Sequence, residues 1–190
     1  MIEPVLLGAA SRVLDRGGLG ALTAEAVANE AGINRVTLYR RGITPGDLLR
    51  ALLERARADF RDALLPALAG RGSAVDRLRA ALDGVVAVTE ANLALLAALF
   101  DGPAALTHLR GQGRHLTPVD FTDPLRRLLE DGLADGTIRA LDVEPTAEVL
   151  FNQVSWTYVH LRRTHRWSAR SARTNVVDLA VAGVARPPAG

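Results

Sequence analysis

A set of hydrogen-bonding and cationic side chains lies between positions 23 and 41 of the chain. Arginine forks onto the acceptor edge of guanine, and asparagine and threonine bond other base edges. Tyrosine hydroxyls, further arginines and helix N-termini are common partners of phosphate oxygens. The residues that offer these groups here are Thr23, Asn34, Arg35, Thr37, Tyr39, Arg40 and Arg41. Their types and spacing predict a surface that binds double-stranded DNA.

By position within this segment, each side chain receives an expected role. We expect Arg35 and Thr37, followed by Asn34, to read base edges. The remaining four residues are expected to contact the DNA backbone, Thr23 from the start of a helix. These four are Thr23, Tyr39, Arg40 and Arg41.

The histidines and carboxylates are not spaced for catalysis or for metal binding. The histidines are His108, His115, His160 and His165. They do not follow a ligand pattern such as His-Glu-x-x-His, and the absence of cysteine removes thiolate zinc sites and disulfides. Glycine-rich phosphate-binding motifs are also absent from the sequence. We therefore predict a protein that is not an enzyme and that uses no cofactor or metal.

Two short helices joined by a tight turn would present the DNA-binding set. Thr23 and Asn34 are predicted N-caps of helices over about 23–30 and 34–40. Gly32 tolerates the left-handed turn between the helices, and Ala28 is small enough for a close crossing. The shared apolar core is expected to contain Val27, Ala31, Ile33 and Leu38. This combination predicts a helix-turn-helix, whose second helix enters the major groove.

Apolar residues at helical spacing predict helices through the rest of the chain. A first helix over about 3–15 ends before Gly17 and Gly18, and Thr44-Pro45 opens a fourth helix. Further helices are expected over about 73–90, 93–100, 104–110, 123–134, 144–164 and 168–184. The predicted fold is all-α with about nine helices, in which a three-helix head with the helix-turn-helix precedes a larger C-terminal helical bundle. The expected domains are 1–45 for DNA binding and 46–186 for dimerisation and ligand binding.

From about Val5 to Leu53 the chain resembles the N-terminal domain of the TetR family of transcriptional regulators. The matching residues are Asp15-Arg16-Gly17-Gly18, Thr23, Val27-Ala28, Ala31-Gly32-Ile33, Thr37-Leu38-Tyr39 and Leu48-Leu49. The resemblance implies a sequence-specific transcriptional regulator, a repressor, whose fourth helix joins the head to the body. It also implies a homodimer, formed through the last two long helices, that binds a palindromic operator and is released by a small molecule.

The apolar composition of the body predicts that such an effector would be apolar. Candidate pocket residues are Phe100, His108, Phe121, Trp156 and Tyr158. An aromatic residue at helical spacing more often belongs to an ordinary core, so a core position is the stronger alternative for each of the five. The apolar faces of the last two helices also have a second interpretation, in which they belong to the core of a single chain.

The segment after the second short helix departs from the family pattern. The family has an aromatic residue followed by Ser-Lys, whereas this chain has Arg41-Gly-Ile-Thr-Pro-Gly-Asp47. Pro45 stands where the phosphate-binding lysine is expected, and Arg40 and Arg41 are the candidates to compensate for it. An alternative function follows from this departure: a helical dimeric ligand-binding or interaction module whose DNA-binding head is degenerate.

Composition fits a globular protein and indicates its compartment. Hydrophobic residues make up 48% of the chain, which is enough for a core, and the formal net charge is +2. All of the lysine-plus-arginine total of 23 is arginine. The longest strongly apolar run, Leu93 to Phe100, is far shorter than the roughly 20 residues that span a bilayer. With no secretory signal visible, we predict a soluble, cytoplasmic protein without a membrane partner.

Overall fold

The computed structural model describes residues 2–100 and 119–187, apart from the side chains of Phe100, Val119 and Asp120. Its helices are α1 (Pro4–Ala21), α2 (Ala24–Ala31), α3 (Arg35–Arg40), α4 (Pro45–Ala69), α5 (Ala74–Ala91), α6 (Leu93–Phe100), α7 (Val119–Ala134), α8 (Val143–Arg163) and α9 (Ala169–Val184). The described residues hold no strand beyond one isolated bridge between Ile138 and Ala185. The predicted all-α fold is therefore confirmed. The helix expected over 104–110 lies outside the described residues.

The first helix runs further than its glycines predicted. The break falls at Gly18, whose φ of 63° is left-handed, and one more helical turn follows as far as Ala21. Gly17 remains inside the helix, and a Cβ there would lie 2.5 Å from the Cβ of Ala21. Glycine therefore permits both the bend and the close return of the chain.

The described residues divide into two compact units. The first takes its residues from Met1–Arg57 and Asn92–His115, and the second from Ala58–Ala91 and Leu116–Gly190. In the first unit, α1 packs against α2 and α6, and α2 packs against α3. Its core includes the fully buried Leu6, Leu14, Val27, Ala28, Leu38 and Leu48. Burial of these side chains fixes α3, which carries most of the predicted DNA-binding set.

In the second unit, α5 lies against α7, α8 and α9, and α8 also packs against α7 and α9. Phe60, Phe121 and Phe151 form an aromatic cluster with ring centroids 5.3 to 5.6 Å apart. The α5 N-terminus is capped by a residue far away in the sequence: the Asp135 carboxylate accepts the Ala74 N–H at 2.8 Å. This bond and two bonds from Thr137 lower the pKa of Asp135, the Thr137 hydroxyl contributing most.

Gly132→Ala is expected to destabilise the protein by about 1–2 kcal/mol. A Cβ at this position would lie 2.3 Å from Cδ1 and 3.0 Å from Cβ of Ile138, so the whole buried isoleucine must move. Overpacking of this kind costs about 1–3 kcal/mol, and the gain from replacing a helical glycine offsets only part of it. Urea unfolding followed by circular dichroism measures the change in the free energy of unfolding.

Gly183→Ala is the matched control for this substitution. It also lies within a helix of the second unit, but a Cβ there has no neighbour within 4 Å among the described atoms. We expect a neutral or slightly stabilising effect. Equal free energies of unfolding for the two variants would contradict the packing argument.

Candidate nucleic-acid interface

The corner between α2 and α3 has the predicted geometry. Ala28 is completely buried at the crossing, and Gly32 adopts the left-handed conformation with φ of 69°. The Ile33 N–H donates to the Ala28 carbonyl at 3.0 Å, and the Gly32 N–H donates to the Asn29 carbonyl at 3.2 Å. These bonds close the α2 C-terminus while the chain turns into α3.

Both short helices begin at the predicted N-caps. Thr23 Oγ1 accepts the Ala26 N–H at 3.1 Å, and Asn34 Oδ1 accepts the Val36 N–H at 2.9 Å. Each cap uses an acceptor of the side chain and leaves a donor, the Thr23 hydroxyl hydrogen or the Asn34 NH₂ group. A donor is the group that a phosphate oxygen or a base acceptor needs.

The surface of α3 is set by Leu38, which is fully buried and points into the core. Val36 and Arg40 lie on the opposite side of the helix and are exposed. Tyr39 is 68% exposed, Arg35 is exposed, and Thr37 is half-buried. The candidate contact face therefore combines a hydrogen-bonding group, an aromatic hydroxyl, cations and one apolar side chain.

Val36 was not among the residues singled out from the sequence. An exposed valine, here 53% exposed, is a candidate contact for the C5-methyl group of thymine. The signal that could have found it is angular: Val36 is two residues from the buried Leu38 and four from Arg40, so it belongs to the outer face of α3.

The arginines of the face differ in their ion pairs. Arg41 donates to Glu3 Oε1 at 2.7 Å, and Arg35 lies 3.7 Å from Glu25 Oε2. Arg40 has no ion pair with any residue that the structure describes. Arg40 and Arg41 therefore differ as candidates for phosphate binding. The charge of Arg41 is partly balanced by Glu3, whereas no described carboxylate balances that of Arg40.

Ion pairs also join α1 to α2 within the first unit. Arg12 and Arg16 of α1 both donate to the Glu30 carboxylate of α2. These bonds lower the pKa of Glu30, the Arg16 bond most strongly. The α1 and α2 helices are thus connected by an ion triad as well as by the apolar core.

The start of α4 is capped by its own side chains. Thr44 Oγ1 accepts the Asp47 N–H at 3.2 Å, and Asp47 Oδ2 accepts the Thr44 N–H at 3.0 Å and the Thr44 hydroxyl. The Thr44 hydroxyl contributes most to lowering the pKa of Asp47. Pro45 has no N–H, and Asp47 also pairs with Arg50 at 3.1 Å. The Asp47 carboxylate therefore lies at the N-terminus of α4, bonded to Thr44 and paired with Arg50.

The candidate pocket residues have separate partners where the structure describes them. Phe121 stacks on Phe151, and the Trp156 Nε1–H donates to Asn152 Oδ1 at 3.1 Å. The Tyr158 hydroxyl donates to Glu90 at 2.9 Å, and burial followed by this bond raises the pKa of Tyr158 to about 12. His108 and the Phe100 side chain lie outside the described residues. A pocket shared by the five residues stays a prediction.

Two family models match the chain. Residues 6–41 match the model described as "Bacterial regulatory proteins, tetR family". Residues 71–184 match the model described as "Tetracyclin repressor-like, C-terminal domain". No curated protein matches the chain. None of the described helices is by itself long and apolar enough to cross a membrane, although α5 and α6 taken together pass that test by length and composition.

Solved structures of regulators have a similar fold. The TetR family transcriptional regulator PfmR from Thermus thermophilus is 17% identical with a TM-score of 0.72, over 95% of this chain and 98% of PfmR. SmeT, the repressor of the Stenotrophomonas maltophilia multidrug efflux pump SmeDEF, is 18% identical with a TM-score of 0.72, over 99% of this chain and 92% of SmeT. A bacterial regulatory protein of the tetR family from Rhodococcus is 22% identical with a TM-score of 0.70, over 95% of each chain. At these identities the likeness concerns the fold.

Proposed function

The chain belongs to the TetR family of bacterial regulatory proteins, and from this premise we propose that it is a repressor that binds a palindromic operator as a homodimer. DNA-binding transcriptional regulation follows from the family. The observation that carries the DNA-binding part for this chain is the outer face of α3. Arg35, Val36 and Arg40 are exposed there, on a helix that the buried Leu38 fixes. We assign DNA binding to residues 1–45 and the other roles to residues 46–186.

The dimer is supported by the last two helices. The α8 and α9 helices each bury one side in the core of the second unit. Outside these buried sides, Val149 of α8 and Leu179 of α9 are apolar side chains that are 59% and 68% exposed. A second copy that covers these side chains would gain apolar burial. A two-fold dimer would then place two recognition helices about 34–36 Å apart, one turn of DNA. Light scattering at micromolar concentration tests this part, and a monomer with and without DNA would refute it.

Release by a small apolar ligand is the remaining part of the proposal. Helix α4 supplies residues to both compact units, so a shift of α4 would couple ligand binding to the head. A ligand acts in this way if it binds one of the two conformations more tightly than the other. We propose no enzymatic activity, and we place the protein in the cytoplasm, where its operator would be.

Selection of bound genomic fragments tests the DNA-binding proposal and returns the operator. Specific binding should weaken steeply with salt as counterions are released from the phosphates. The competing function, a module with a degenerate head, is favoured by the carboxylate at the start of α4. No enrichment of any sequence, and no salt-dependent binding, would favour that competing function.

Arg40→Ala is expected to weaken binding equally on all DNA sequences. Its guanidinium has no carboxylate partner among the described residues, so it is free for a phosphate. Loss of one phosphate contact should lower the slope of log K against log salt by about 1. Fluorescence anisotropy at several salt concentrations measures this slope.

Arg127→Ala removes the same charge from the exposed surface of α7 and serves as the control. It should leave the slope unchanged. A selective loss on the operator in Arg40→Ala, with an unchanged slope, would show that Arg40 reads a base instead of a phosphate.

A further inference from the structure

A groove of about 590 Å³ lies between α5 and α9 in the second unit, with Tyr158 of α8 at its base. A groove of this volume accommodates a small organic molecule. Along α5 it extends from Arg79 to Glu90, roughly 16 Å at the helical rise. Of the sequence-predicted pocket residues whose side chains the structure describes, Tyr158 lines this groove, and Phe121 and Trp156 do not.

One end of the groove is closed by ion pairs between its two walls. Arg79 of α5 pairs with Asp178 of α9, and Arg173 Nε of α9 lies 2.8 Å from Asp83 Oδ1 of α5. These pairs show that α5 and α9 run antiparallel here, because higher numbers on one helix face lower numbers on the other. The opposite end therefore brings Ala87 and Glu90 towards Ala169 and Arg170.

At this opposite end the acidic group is already neutralised. Arg162 donates twice to Glu90, from Nε at 3.0 Å and from Nη2 at 2.7 Å, and the Tyr158 hydroxyl donates to the same carboxylate. The Arg162 bonds contribute most to lowering the pKa of Glu90, which therefore stays ionised. The partners of the Glu90 carboxylate among the described residues are Arg162 and the Tyr158 hydroxyl, and Arg170 is not one of them.

Arg170 is left with an uncompensated charge. It is exposed, lines the groove, and has no hydrogen bond or ion pair with any residue in the described ranges. Thr174, one helical turn further along the same wall, adds a hydroxyl. Between this end and the paired end, the accessible apolar surface belongs to Ala87, and Ala169 adds to it beside Arg170. Val86 and Val177 belong to the core beneath the groove, where they are 2% and 1% exposed.

We propose that this groove binds a small amphiphilic organic anion, whose carboxylate or sulfonate contacts Arg170 and whose apolar part covers Ala87 and Ala169. The fork of a guanidinium matches a planar carboxylate, and a charge-assisted bond of this kind is stronger than a neutral one. The paired arginines, Arg79 and Arg173, keep their aspartates. The proposal rests on neither operator binding nor dimerisation, so failure of its test would leave those two parts of the proposed function standing.

The test uses 8-anilino-1-naphthalenesulfonate with the full-length protein. We expect saturable fluorescence at one site per chain, and binding at least about tenfold weaker for Arg170→Gln. Arg127→Gln removes an equivalent exposed charge outside the groove and should bind as the wild type does. N-phenyl-1-naphthylamine, which has the same ring system without the sulfonate, should bind at least about tenfold more weakly than the sulfonate.

Ala87→Trp provides a second, independent variant. Ala87 is exposed at the groove, so an indole there fills the space without entering the core. It should abolish the saturable binding while the thermal transition in circular dichroism is retained. The proposal is overturned if Arg170→Gln and Arg127→Gln bind alike, if Ala87→Trp binds as before, or if the uncharged probe binds as tightly as the sulfonate.

Discussion

Leu38→Ala is expected to detach α3 from the core of the head, to unfold this helix and to abolish operator binding. Leu38 is fully buried and is the residue of α3 that enters the core of the first unit. Removing a buried leucine side chain costs about 2–5 kcal/mol, because apolar burial is lost and a cavity remains. A helix of six residues has little stability of its own, so the loss falls on α3 first.

Amide hydrogen exchange of the full chain distinguishes this local effect from general unfolding. Protection should fall for α3 and be retained for α5, α7 and α8, which belong to the other unit. Val36→Ala is the matched control on the same helix, since Val36 is 53% exposed and its loss should change stability by no more than about 0.5 kcal/mol. Unchanged protection of α3 in Leu38→Ala would refute the anchoring role.

The corner of the head could be predicted because local rules determine it. Thr23 and Asn34 cap their helices, and Gly32 adopts a left-handed turn, for reasons that concern only a few neighbouring residues. The same holds for Thr44 and Pro45 at the start of α4. Each of these positions was found from residue type and spacing alone.

The ion pairs could not be predicted in this way because they join residues far apart in sequence. Glu3 and Arg41 are 38 residues apart, and Glu90 and Arg162 are 72 apart. Their partners depend on how whole helices pack, which periodicity does not specify. The same long-range packing decides which arginines have a carboxylate partner. Arg41 and Arg173 have one, whereas Arg40 and Arg170 have none among the described residues.

The exposure of Val36 is intermediate between these two cases, since it depends partly on local rules and partly on packing. Its exposure follows from the burial of Leu38 once the helix is fixed, but the sequence alone offers Val36 equally as a core residue. The apolar side chain of Val36 predicts burial, whereas its angular position on α3, opposite Leu38, predicts exposure. Val36 lies on the exposed side of α3, because Leu38 on the opposite side is the residue of this short helix that enters the core.

Arg35→Ala is expected to weaken binding to the operator by roughly 5- to 150-fold, equivalent to about 1–3 kcal/mol, with less discrimination between base pairs. Arg35 is exposed at the start of α3, and its 3.7 Å contact with Glu25 joins two exposed side chains. Such a pair contributes at most about 1 kcal/mol, so its loss should leave the fold intact. The contact with a guanine in the major groove of DNA, which we expect Arg35 to make, would be lost.

Arg35→Lys separates base reading from charge. Lysine keeps the positive charge but loses the guanidinium fork that contacts two guanine acceptors. Base reading predicts that Arg35→Lys loses operator preference while its salt slope matches the wild type. Binding titrations on the operator and on operators with single substituted base pairs measure both quantities. If Arg35→Lys restores full affinity, or if Arg35→Ala weakens all sequences equally, Arg35 contacts phosphate and sequence reading must come from Asn34, Val36 or Thr37.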